Sequence, residues 1–221
     1  MNQGITQVDL ATVADEYTLF KFMYSQLASR IRTVSLVQVL NCTNAGGITA
    51  AGTVDVKILV NLLVADGTTV PHGTLYKVPY SRLQGGKKAI ILDPEANDIG
   101  IALFCERDIS KVKANPTQAI ASGGVPPGSW RKFSYSDGLY LPAVLNGVPE
   151  DFIAFTPNGI VIQSPNPVTI NDTQFLPGGN INCPGTMTAK TDVVAANVSL
   201  VNHTHSGVQS GSNDSGPPVA T

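Results

Sequence analysis

Apolar and polar positions alternate along the chain in rhythms that change with position. Leu10, Val13, Tyr17, Phe20, Tyr24, Leu27 and Ile31 fall at alternating steps of three and four. That spacing lines them along one stripe of a helix from roughly residue 10 to residue 31, with Asp9 as its N-cap. Two packings suit such a stripe: the seam of a trimeric coiled coil, or a contact with the helix's own domain. Three aromatics in the stripe suit the second better than a tight seam, so packing on its own domain is the expectation. The rhythm then shortens to two. Val54, Val56, Ile58 and Val60 alternate with polar neighbours, which is the period of a half-buried strand. Thr33–Asn41, Thr74–Tyr80, Lys87–Leu92 and Ile99–Glu106 read as further strands. Turn residues separate them at Asn44–Gly47, Asp66-Gly67, Gly85-Gly86 and Asp93–Asp98.

Five strands punctuated in this way predict a small closed barrel of the OB type over residues 33–110. Residues 111–151 hold Pro116, Pro126, Pro127, Pro142, Pro149 and the single tryptophan, Trp130, and read as an extended connecting arm. From Phe152 onward the strands become very short, at Ile153–Phe155, Ile160–Gln163, Val168–Asn171, Thr186–Ala189, Val193–Ala195 and Val198–Val201. The predicted organisation is an N-terminal helix (1–32), a barrel (33–110), an arm (111–151) and a β-helical segment (152–221), mainly β throughout.

Charge sharpens the last boundary. Of the 30 charged residues, only Asp172, Lys190, Asp192 and Asp214 lie in the final 70 positions, which also carry seven Pro and seven Gly. Ordering a residue costs about 1–2 kcal/mol of backbone entropy, and one copy of this segment hides too little apolar surface to offset it. Disordered segments carry more charge and fewer regular β-branched runs than this one. The expectation is an intertwined β-helix, in which strands of several chains enclose one narrow core.

Candidate chemistry is sparse. The net charge is −2, so no basic surface for nucleic acid is expected. Met1–Leu10 lacks the basic start and apolar run of a secretory signal, and no apolar stretch is long enough to span a bilayer as a helix. Cys42, Cys105 and Cys183 lie far apart and read as reduced, buried thiols. Asp93, Glu95 and Asp98 sit close together but read as a solvated loop, and His72, between Pro71 and Gly73, reads as a surface residue. No nucleophile elbow, zinc-protease or phosphate-loop motif occurs, so no enzyme is expected. Trp130, Phe133, Tyr135 and Tyr140 offer stacking groups for a sugar, although such a cluster more often anchors a loop.

The most specific pattern is His203-Thr204-His205, directly after the predicted strand Val198–Val201. On an extended strand, residues two apart share a face. One chain supplies two imidazoles, and three symmetry-related chains supply six, enough for an octahedral site. Zinc prefers four ligands and copper(II) distorts, which leaves iron(II) as the best fit and nickel as the second. A site filled by six protein nitrogens has no open position for a substrate, so its expected role is to tie chain ends together.

Asn202-His203-Thr204-His205-Ser206-Gly207-Val208-Gln209-Ser210-Gly211, followed by Ser215-Gly216-Pro217-Pro218, resembles the apex motif of central spike proteins from contractile-tailed phages. Asp98–Ile109 is similar to the last barrel strand of their OB domain, and Arg131–Gly138 to the segment that follows it. The resemblance implies a homotrimer, an OB collar on the tail hub or baseplate and a β-helical needle. It also implies one iron per trimer held at the tip by His203 and His205, at the tail end of the virion. The implied action is mechanical: the needle is driven through the outer membrane of a Gram-negative host when the sheath contracts. It needs no small-molecule substrate and no nucleic-acid recognition. The β segment here is short beside the longest needles of that family. The alternative is a baseplate or receptor-binding module that contacts envelope saccharides through Trp130 and its aromatic neighbours.

Overall fold

The computed structural model describes residues 16–64, 66–204, 207 and 211 of the 221. The chain is mainly β and divides into two compact units, residues 1–147 and 148–221.

The first unit opens with helix α1 (Glu16–Ala28). The Asp9 cap and the first turns of the predicted helix lie outside the described residues. The stripe does not pack on its own domain as expected, since no residue of α1 is buried. Phe20 is 68% exposed and Leu27 63%.

The strands β1 (Val34–Cys42), β2 (Thr53–Ile58), β3 (Leu62–Leu63), β4 (Thr69–Val70), β5 (Thr74–Pro79), β6 (Leu83–Gly85), β7 (Lys88–Ile90), β8 (Ile99–Phe104) and β9 (Gly138–Leu141) follow. Five form one sheet in the order β5-β2-β1-β8-β9, antiparallel at every step. The alternation seen in the sequence becomes burial of one face. Val37 and Val39 of β1, Val54, Val56 and Ile58 of β2, Val78 of β5, Ala102 and Phe104 of β8 and Tyr140 of β9 make the core. Each valine so buried contributes on the order of 1.5–3 kcal/mol relative to exposure.

The sheet curls because its register breaks twice. One irregularity falls between Val39 and Asn41, and another between Val54 and Val56 against β5. Lys77 takes φ 54° at the second, and its amide donates to the Asp55 carboxylate at 2.9 Å. Extra residues on one strand bend it and raise its twist. The two edges of the sheet therefore meet: Tyr80 and Tyr140 form a parallel bridge, and the Ser81 amide donates to the Tyr140 carbonyl at 2.8 Å. Gly100 makes room for this closure, because a Cβ there would overlap the Tyr140 ring and the Leu141 carbonyl.

The fifth strand differs from the prediction. Lys87–Leu92 does not join the sheet; β7 pairs with β6 across the Gly86-Lys87 turn. The place is taken by β9, from the stretch read as an extended arm. That arm also holds two short helices, α2 (Ser110–Ala114) and α3 (Pro116–Ala121), the second capped by the Asn115 side chain on the Gln118 amide.

The second unit is a run of hairpins: β10 (Phe152–Thr156) with β11 (Gly159–Gln163), then β12 (Val168–Ile170), β13 (Thr173–Phe175) and β14 (Ile181–Asn182), then β15 (Val194–Ala195) with β16 (Val198–Ser199). Two turns carry paired positive φ angles, at Asn171-Asp172 and Ala196-Asn197, as tight two-residue hairpins require. No described residue from 148 to 204 is buried. An isolated two-stranded hairpin is marginal in water, and the described residues of this unit form no core of their own.

Candidate metal-binding apex

The β15–β16 hairpin sets up the chain end. Its base is held by Asp192, whose carboxylate accepts the amides of Val193 at 2.8 Å and Val201 at 3.2 Å. The Ser199 hydroxyl first, then these amides, keep the Asp192 carboxyl below its usual range against the effect of burial. A further ladder bond runs from the Leu200 amide to the Val193 carbonyl at 2.8 Å.

The strand then stops at Ser199, two residues earlier than the sequence suggested, and residues 200–202 form a turn. The Asn202 amide donates to the Ser199 hydroxyl at 2.8 Å, and the His203 amide to the Ser199 carbonyl at 3.0 Å. This brings the His203 ring over the turn. Its Nδ1 lies 3.0 Å from both the Ser199 and the Leu200 carbonyl oxygens. Carbonyls only accept, so Nδ1 is the donor to both. Ligating histidines are held in this way, with one nitrogen donating to a backbone carbonyl and the other turned to the metal. His203 has its Nδ1 engaged by two backbone carbonyls in the same manner. His205 lies outside the described residues. Among the described residues of one chain, no group of three or more His, Cys, Asp or Glu converges.

The other candidates scatter. Trp130 is 97% exposed, while Tyr140 is in the core, so the four aromatics do not form one stacking platform. Tyr135 packs edge-on against Phe104 at 5.1 Å and against His72 at 5.6 Å, under the Arg32 guanidinium at 4.4 Å. His72 is thus a half-buried neighbour of the barrel rather than a free surface ring. Asp93 is not solvated: its side chain is buried, accepts the Tyr80 hydroxyl at 2.6 Å and pairs with Arg82. Burial opposes its charge, but Tyr80, Arg82 and the Gly46 amide hold its carboxyl below the usual range. Asp98 instead accepts the Glu95 amide and the Asn146 side chain, so the three acids do not share a site. The three cysteines are free thiols, half-buried. No helix among the described residues is long and apolar enough to cross a membrane.

Two groups escaped the sequence reading. Asp192 carried a signal, as one of four charges in the final 70 residues. The carbonyls that orient His203 carried none, because they depend on where the strand stops.

The family model described as the GpV apex motif matches residues 197–219. The matched stretch starts at Asn197 in the β15–β16 turn and takes in both histidines. The match suggests a phage tail-tip spike. No curated protein matches the chain at a significant level.

Proposed function

We propose that the chain is the central spike of a contractile phage-type tail: a homotrimer that caps the tail hub and punctures the host envelope on sheath contraction. The observation that carries this is the second unit. Ile153, Phe155, Ile160, Ile162, Ile170 and Phe175 are all exposed in a single chain, Phe155 by 83%. Strands that are regularly paired but bury nothing are completed by other chains, and the apex match supports three copies around one axis.

The barrel fits the collar role. Taken around the curl, β1 lies between β2 and β8, β5 follows β2, β9 follows β8, and β5 meets β9 in parallel. That order supports the OB-barrel reading, with β9 as the last strand. In the trimer, His203 and His205 of three chains offer six imidazoles, a donor set suited to iron(II). When bound, the ion supplies binding free energy that ties three chain ends into one tip. The protein's own part is to orient: the Ser199 and Leu200 carbonyls hold Nδ1 of His203 as a donor. With every position taken by imidazole the site is structural and the chain is not an enzyme. It needs no small-molecule substrate, and it meets the outer membrane only in passing.

Metal analysis of the full chain tests the apex. The wild type should carry about one iron per three chains, and His203→Ala/His205→Ala should lose it while staying trimeric through the rest of the chain. Metal retained by the double variant would remove both histidines from the site.

A second reading keeps one observation in its favour. Trp130 stands fully in solvent, as a saccharide-stacking residue would. Tyr140 is in the core and unavailable to help it. A glycan array on which wild type binds and Trp130→Ala does not would favour that reading over the spike.

A further inference from the structure

The chain leaves the barrel through a short segment that is both strained and pinned. We propose that residues 142–146 form a rigid coupling at this exit, locked by Asn146, and not a flexible linker. The geometry stands on the first unit alone. Only its purpose, passing load into the barrel, rests on the spike reading above.

Strain is the first sign. Strand β9 pairs with β8 as far as Leu141, and Pro142 follows with its φ fixed by the ring. Ala143 then takes φ 70° and Leu145 φ 60°. Both lie in the left-handed region, which side chains other than Asn and Asp seldom enter. Leu145 is 77% exposed, so packing does not hold it there. A backbone of this kind persists only where its surroundings over-determine it.

The surroundings supply a pin. Both backbone groups of Ile99, the first residue of β8, face the departing chain. The Ile99 carbonyl accepts the Val144 amide at 2.9 Å, and the Ile99 amide donates to Asn146 Oδ1 at 2.8 Å. The Asn146 side chain thus stands in for the backbone carbonyl that a continuing strand would offer. Its Nδ2 donates in turn to Asp98 Oδ1 at 3.2 Å. One amide side chain uses its acceptor and its donor on two successive residues, and that fixes its orientation.

The pin is itself anchored. Asp98 Oδ2 accepts the Glu95 amide at 2.9 Å, which holds the carboxylate in place. The Asp98 carbonyl accepts the Val39 amide at 2.8 Å, and the Asn97 amide donates to the Val39 carbonyl at 2.9 Å. Val39 is fully buried in β1, the middle strand of the five. The exit is therefore tied through Asp98 to the centre of the sheet as well as to its neighbour β8. A linker that let the chain swing would need neither the left-handed residues nor this anchor.

The test uses the purified full chain as wild type and as Asn146→Ala. Amide hydrogen exchange at Ile99 and Val144 is read together with the rate of proteolytic cleavage within residues 142–148 and with molar mass. In Asn146→Ala the two amides should exchange at least about tenfold faster than in wild type, and cleavage should quicken, while the core amides of β1 and β2 stay protected. Asn146→Asp keeps an acceptor for Ile99 but loses the donor and sets a second carboxylate against Asp98, so its rates should fall between the two. Equal rates in wild type and Asn146→Ala overturn the lock. A wild type whose Ile99 and Val144 amides exchange as an open chain overturns it as well. A wild type that protects both amides yet is monomeric supports the lock and removes the spike reading instead.

Discussion

At the scale of single residues, charge does most of its work inside the first unit. Asp137 is fully buried and takes a two-pronged contact from Arg131, Nε to Oδ2 at 2.8 Å and Nη2 to Oδ1 at 2.9 Å. Asp108 stands beside it, 3.1 Å from the same guanidinium, and accepts the Ser129 hydroxyl at 2.7 Å and the Ser110 amide at 2.9 Å. These groups bind the excursion between β8 and β9 back onto the barrel. Ser110 and Ser129, then Arg131, hold the Asp108 carboxyl down at about 2, from a usual value of 3.8. A carboxyl lowered on folding stabilises the fold above its unfolded pKa, and that stabilisation is lost as pH falls towards the folded value. Denaturation midpoints should therefore show wild type exceeding Asp108→Asn at pH 5, with the gap closing between about pH 4 and pH 2. A gap that does not change with pH would take Asp108 out of the account. Gly100 gives a second test. Its missing Cβ is where the Tyr140 ring lies. Gly100→Ala should cost about 1–3 kcal/mol in urea unfolding by forcing that ring aside, and an unchanged midpoint would mean the closure is looser than described.

At the scale of elements, the two units obey different rules. Strands β1, β2, β5 and β8 have one buried face, and that face is what made them legible: Val54, Val56 and Ile58 announced β2 by alternation alone. The fifth strand was not legible. Gly138–Leu141 is four residues long, lies among turn and proline residues, and gains its place only when the edges of the curled sheet meet. Lys87–Leu92 carried a better strand pattern, yet the Gly86-Lys87 turn folds it onto Leu83–Gly85 before it can reach the sheet. Asp93 was misread for a related reason, since Arg82 and Tyr80 that enclose it come from beyond β5 and no spacing rule links them. In the hairpins of the second unit the apolar residues are correctly on strands but face solvent. A substitution there separates a lone hairpin from an enclosed one. Ile153→Asp/Phe155→Asp should cost less than about 0.5 kcal/mol if those side chains stay in water. Enclosed by neighbouring chains, the same pair should lower the thermal midpoint strongly and make it depend on protein concentration, which a melt at two concentrations reads directly.

At the scale of the whole molecule, the apex was the most legible feature and its detail the least. His203-Thr204-His205 stands out because histidine is so scarce here, with three in the chain. The sequence reading placed the pair on a continuing strand. The chain instead turns at 200–202, and the turn's carbonyls orient His203. The hairpins of the second unit present apolar groups that the described residues of one chain do not bury. Regularly paired strands without a core call for further copies of the same sequence. The molar mass of the purified full chain, by sedimentation at several concentrations, tests that most directly. The account predicts one species at three times the chain mass of 23.2 kDa, unchanged on dilution through the micromolar range. A stable, folded species at the mass of one chain would contradict it.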